Sequence, residues 1–125
     1  MGYDLRRSAH GISVGVRTWA CVCALAIEGG WEPEGTLPPP GESGRVRKWS
    51  GAYHGTEGQT ITAEDASAMA GALTQMLGRI NGEPKFLQFG DAMPSEAVSF
   101  FGGESKRRML ALMIEFLRGG SCRIW

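Results

Sequence analysis

With 125 residues and 13 basic side chains balanced by 13 acidic ones, the chain is long enough for one domain around one core and lacks the overall field that gathers nucleic acid or an anionic membrane. Three cysteines cannot form a fully paired disulfide framework, so a reducing cytoplasm is expected, and no apolar run approaches the roughly 18 residues of a membrane span. Nineteen glycines, well above the usual ~7% of residues, predict many turns and close backbone contacts.

The opening MGYDLRRS alternates Tyr3 and Leu5 with Asp4 and Arg6, the two-residue period of a short strand. Arg6 and Arg7 also precede an apolar stretch holding Ala24-Leu25-Ala26, a pattern that a signal peptidase cuts, but Asp4 sits in the would-be basic region and the cytoplasmic expectation stands. From Ser13 or Val14 to Glu28, Val16, Trp19, Val22, Cys23, Ala26 and Ile27 recur at helical spacing, and Gly29-Gly30 supplies a stop. This predicts a first helix that is apolar nearly all round and therefore buried. Cys21 and Cys23 point to opposite sides of such a helix and belong to no Cys-x-x-Cys or His/Cys cluster, so they read as small buried hydrophobes. No metal and no cofactor is expected.

Trp31 to Lys48 carries four prolines and three glycines, which forbid regular structure and predict a long surface loop with a polyproline turn at Pro38-Pro39-Pro40. A rigid connector is the commoner role of such a segment, with a ligand for an aromatic-lined groove as the alternative. KWSGAY then reads as a short strand with Trp49 and Tyr53 inward or at a rim, followed by a turn from Gly55 to Gly58. Thr62 is placed to cap the next helix, with Asp65 reaching back as an acidic variant of the capping box. Ala66, Met69, Ala70, Leu73, Met76, Leu77 and Ile80 form the apolar stripe of that helix, and Asn81-Gly82 ends it.

Pro84 to Gly103 mixes short apolar pairs with turn residues; within it Ser95 is positioned to cap a single helical turn that turns Val98 and Phe101 to the core. Met109, Leu110, Met113, Ile114, Phe116 and Leu117 predict a third long helix from Ser105 to Arg118, stopped by Gly119-Gly120. SCRIW closes as an edge strand with Cys122 and Ile124 on one face. The expected fold is a single α+β domain spanning 1–125: three main helices, Ser13 to Glu28, Ala63 to Ile80 and Ser105 to Arg118, packed with a small antiparallel or mixed sheet.

One local grouping carries a nucleophile beside a base: Ser50, Tyr53, His54 and Glu57, with His10 as a partner from elsewhere in the chain. A Gly-rich turn bearing an exposed histidine accounts for the same residues, and the glycines argue against a preorganised site. A phosphate loop is disfavoured, because Glu64 and Asp65 put negative charge at the helix N-terminus where an anion would bind. Trp19 reads as core, whereas Trp31, Trp49 and Trp125 flank loops or an end, where large rings are costly to expose; packing on one another is the first reading, and rings left unpacked would mark a binding surface. Arg45, Arg47 and Lys48, like Lys106 to Arg108, form local basic clusters that read first as solvated surface.

MGYDLRR, GGWEPEGT, WSGAY, GQTITAEDASAMAGAL and EFLRGGSCRIW, in that order and spacing, resemble a family of small uncharacterised bacterial proteins. The resemblance covers about half of the chain and implies a bacterial cytoplasmic origin without implying an activity. The expected function is a non-enzymatic protein-binding module, of accessory or immunity type, that engages its partner through Trp31, Trp49 and Tyr53 with Arg45 and Arg47. The alternative is a small hydrolase or transferase using Tyr53, His54 and Glu57. Nucleic-acid binding through the basic clusters is the weakest of the three, and it would be strongly salt-dependent.

Overall fold

The computed structural model describes residues 2–39, 49–82 and 95–125, and within them the sequence periodicities become a four-stranded antiparallel sheet and four helices. Strand β1 (Gly2–Arg7) turns back through Ser8-Ala9 into β2 (His10–Gly15), in the register Tyr3↔Val14 and Leu5↔Ile12. Ser8 stands at φ 46°, the left-handed conformation that a two-residue hairpin turn requires. Helix α1 (Val16–Glu28) follows at once, so it begins later than Ser13 or Val14. The alternation of Ile12 and Val14 with Gly11, Ser13 and Gly15 is a strand period, and pairing with β1 extends that strand to the residue before the helix.

Strand β3 (Gln59–Ile61) leads into helix α2 (Ala63–Gly82). Ser95 then caps the short helix α3 (Glu96–Phe100), its hydroxyl accepting from the Val98 N–H, and Val98 and Phe101 are buried as their spacing predicts. Helix α4 (Glu104–Arg118) returns the chain to β4 (Cys122–Ile124). The sheet order is β2-β1-β4-β3.

The C-terminal strand is therefore interior, where its sequence predicts an edge. It pairs with β1 through Leu5↔Ile124 and with β3 through Ile61↔Cys122, satisfying two ladders that would otherwise be open. The outer side of β3 is in turn met by Leu37, which exchanges two backbone hydrogen bonds with Thr60. Trp49 to Tyr53, predicted as a strand, is irregular; the strand between the first two long helices lies later, at Gln59–Ile61.

Leu5, Val14, Ile61, Cys122 and Ile124 turn inward from the sheet and join Trp19, Leu73, Met113 and Leu117 of the helices in one contiguous core. Arg7 ties sheet to helix. Its guanidinium donates to the carbonyls of Phe116, Gly120 (3.0 Å) and Ser121 (3.2 Å), and lies 4.3 Å from the Phe116 ring centroid. A cation at the C-terminus of α4 is favoured by the helix dipole and fixes the turn that delivers β4 to its slot. No helix among the described residues is long and apolar enough to cross a membrane.

Candidate functional site

The groups with the most chemistry meet at the N-terminus of α2, where two irregular segments pack against it. Asp65 is fully buried, and its Oδ1 accepts from Trp31 Nε1 at 2.9 Å and from the Glu34 N–H at 3.4 Å, while its Oδ2 accepts from the Tyr53 hydroxyl. The Tyr53 hydroxyl itself accepts from the Gly35 N–H at 2.8 Å. Thr62 caps the helix as its sequence predicts, its Oγ1 accepting from the Asp65 N–H at 3.2 Å. The Asp65 side chain departs from the capping-box expectation: it reaches across to the two loops. A buried carboxylate needs several donors to offset desolvation, and Trp31, Tyr53 and Glu34 supply them.

Further hydrogen bonds complete this knot. Trp19 Nε1 donates to the Tyr53 carbonyl at 2.9 Å, and the Trp31 and Tyr53 rings meet edge to face with centroids 5.1 Å apart. Trp49 is half-buried and its Nε1 donates to the Thr36 carbonyl at 2.9 Å. Gln59, fully buried, donates to the Gly55 carbonyl and accepts from the Glu57 N–H, so the Gly-rich turn is held from beneath.

These contacts show where the expected site residues lie. Trp31 and Tyr53 are core residues with 4% and 9% exposure, so neither offers a ring to a partner. Trp49 spends its only donor inside the loop. Arg45, Arg47 and Lys48 lie outside the described residues. Nor do the residues of the catalytic alternative converge. His54 and Glu57 are exposed while the Tyr53 phenol points inward to Asp65, and no hydrogen bond joins the three side chains. His54 has an edge contact with the Tyr3 ring, centroids 6.4 Å apart, and His10 sits at the hairpin turn opposite Arg7. Burial, reinforced by the bond to Asp65, holds the Tyr53 phenol well above its ordinary value, the wrong direction for a base or nucleophile. Burial likewise pushes the thiols of Cys23 and Cys122 up to about 12 and about 11, which keeps them protonated and unreactive at neutral pH.

The opposite side of the sheet is organised differently. Residues that alternate with the inward set, namely Asp4 and Arg6 of β1, Ser13 of β2, Thr60 of β3 and Arg123 of β4, turn away from the helices. Register sets Arg6 directly across from Arg123, and Trp125 exchanges two backbone hydrogen bonds with Asp4. Thus a row Leu37–Thr60–Arg123–Arg6 lies beside a row containing Trp125, Asp4 and Ser13. Gly2, Gly11, Gly15 and Gly58 occupy other positions of the same face and leave it flat. Two shallow hollows, of about 390 and about 250 Å³, lie over Gly2/Gly15 and over Gly11. Trp125 is 42% and Leu37 51% exposed.

Another hollow, about 480 Å³, opens between the end of α1 and α2 beside Trp31, Glu32, Glu34 and Gln75, with no nucleophile paired to a base in its lining. Among the described residues, no three metal-ligating side chains converge. Nothing local in the sequence marks Arg6, Arg123 and Trp125 as a group, because only strand pairing brings residues so far apart in the chain together. The comparisons with family models, with curated proteins and with solved structures find no match to this chain.

Proposed function

We propose that this protein is a non-enzymatic protein-binding module of a bacterial cytoplasm, of accessory or immunity type, and that the face of its sheet turned away from the helices is the binding surface. The observation that carries the reading is the contrast between the two sides of that sheet. One side is sealed by helices, and the other presents two arginines, a tryptophan and a leucine with no helix of the described residues over them. Trp and Arg are the residue types that concentrate binding energy in protein interfaces, and a flat four-stranded face suits a contact of ordinary size. Three unpaired, buried cysteines support a reducing compartment.

The test replaces the two apolar groups of the face. Native protein and a Leu37→Ala/Trp125→Ala variant, shown by circular dichroism to be equally folded, are used to capture partners from lysate of the source cells. Any protein held by the native form is then purified and titrated calorimetrically. Loss of affinity by about tenfold or more in the variant is expected for hot-spot side chains. Equal affinity of the two forms overturns the assignment of the face, and titratable turnover of a substrate at His54 overturns the non-enzymatic reading.

A further inference from the structure

The Arg6–Arg123 pair is a cost that the fold does not explain. The two residues are direct cross-strand neighbours on the central strands β1 and β4, and like charges so placed destabilise a sheet. The one acid in the adjoining row, Asp4, accepts from the Ser13 hydroxyl at 2.6 Å, and the ion pairs among the described residues lie elsewhere: Arg17–Glu96, Arg108–Glu104 and Arg118–Glu115. Arg6 is exposed. Arg123 is positioned rather than neutralised. Its Nε donates to the Gly58 carbonyl at 3.1 Å, and its guanidinium carbon lies 4.4 Å from the Trp125 ring centroid.

Gly58 lets this arrangement form. It holds φ +85°, and a Cβ there would stand 2.6 Å from the Trp125 ring, so only glycine admits the indole over the strand end. The result is an indole and a guanidinium stacked together and fixed in place, a second guanidinium on the next strand, and Leu37 at the far end of the row.

We propose, building on the binding-module reading, that this face docks an acidic protein segment whose carboxylates bridge Arg6 and Arg123 while an apolar side chain of the same segment packs on Trp125 and Leu37. The Cβ atoms of cross-strand neighbours stand roughly 5 Å apart, so the two long side chains rise from adjacent points of the face to which one acidic segment can offer carboxylates, and a bound anion turns the repulsion between the arginines into attraction for both. The mixture of two cations with two large apolar groups matches the anchor-and-rim composition of a protein interface. A nucleic acid is less well matched. The chain has no net positive charge, and the face carries a single aromatic where base-stacking sheets carry two or three.

The test is an NMR titration of isotope-labelled protein with a short synthetic peptide of Glu, Gly and one Leu. The Trp125 indole signal and the amides of Arg6, Thr60, Arg123 and Leu37 are expected to shift saturably. Arg6→Gln and Arg123→Gln should each weaken binding roughly tenfold, the loss of a charged hydrogen-bonding partner, with core signals unmoved. Added salt should weaken it further, and Arg6→Lys should retain part of the affinity because it keeps charge but loses the fork. Shifts confined to Lys106, Arg107 and Arg108, or no shift, overturn the proposal. Tighter binding of oligo(dT) than of the peptide at equal salt replaces it with a nucleic-acid surface, and concentration-dependent shifts of the free protein replace it with self-association. If the peptide fails while capture through Leu37 and Trp125 succeeds, the charge chemistry is wrong and the binding module stands; if both fail, the module reading falls as well.

Discussion

Two regions of this protein are rich in aromatic and charged groups, and they are built on opposite principles. Around Asp65 each polar group of consequence is spent: Trp31, Tyr53, Trp19 and Gln59 all have partners inside the chain, and among the described residues no buried side-chain polar atom lacks one. On the outer face of the sheet, Arg6 and Arg123 stand side by side, and among the described residues neither forms an ion pair with a carboxylate. Saturation of hydrogen bonds in a buried cluster marks a structural knot, because a half-satisfied one would cost more than an apolar core. Unrelieved charge on a surface marks a place where stability has been conceded, and such concessions gather at functional sites.

Mutations in the first region should therefore act on stability and mutations in the second on binding. Asp65→Ala should produce the largest effect. It strands the Trp31 and Tyr53 donors, each at about 1–3 kcal/mol, so a loss of several kcal/mol in urea unfolding is expected. A change below about 1 kcal/mol would mean that Asp65 is not the centre of the knot.

Alkaline pH attacks the same interior. The Cys23 and Cys122 thiols are raised from an ordinary 9.0 to about 12 and about 11, so the folded state holds protons that the unfolded state releases. The sign follows: stability should be full below about pH 9 and fall as pH rises from there through the folded-state values. Cys23→Ala should flatten part of that fall, as measured by midpoint against pH. Tyr53→Phe is next, at about 1–3 kcal/mol, because it deprives Asp65 of a donor and the Gly35 N–H of an acceptor. Thr62→Ala should cost about 1 kcal/mol, the ordinary worth of a helix N-cap.

The smallest effect is the sharpest for the comparison. Arg6→Gln should leave stability unchanged or raise it by a few tenths of a kcal/mol, with the gain fading as salt is added. A loss of more than about 1 kcal/mol would show that Arg6 has a structural job, and the two regions would no longer differ in kind.

How much of this was legible in the chain depends on the range of the signal. The stripes of α2 and α4, the Thr62 and Ser95 caps and the pairing of Cys122 with Ile124 on one face follow from spacing within a few residues, and each is present. The hairpin partner β2 carries its own two-residue alternation, but that run overlaps residues whose spacing also predicts a helix start. For Trp31 and Tyr53 the spacing leaves packing and partner contact both open, and the partner that gives each a buried hydrogen bond is a carboxylate on a different element.

The sequence by itself determined the α+β class, the three main helices and the apolar stripes by which those helices line the core, because helix and strand periods, caps and stops are properties of neighbouring residues. Only the tertiary structure decided that Asp65 knots two loops together, that the last strand enters the middle of the sheet, and that Arg6 meets Arg123. Those three outcomes join residues 12 to 119 positions apart, and the pairing of distant strands is set by which edges are left open once the helices have covered one face.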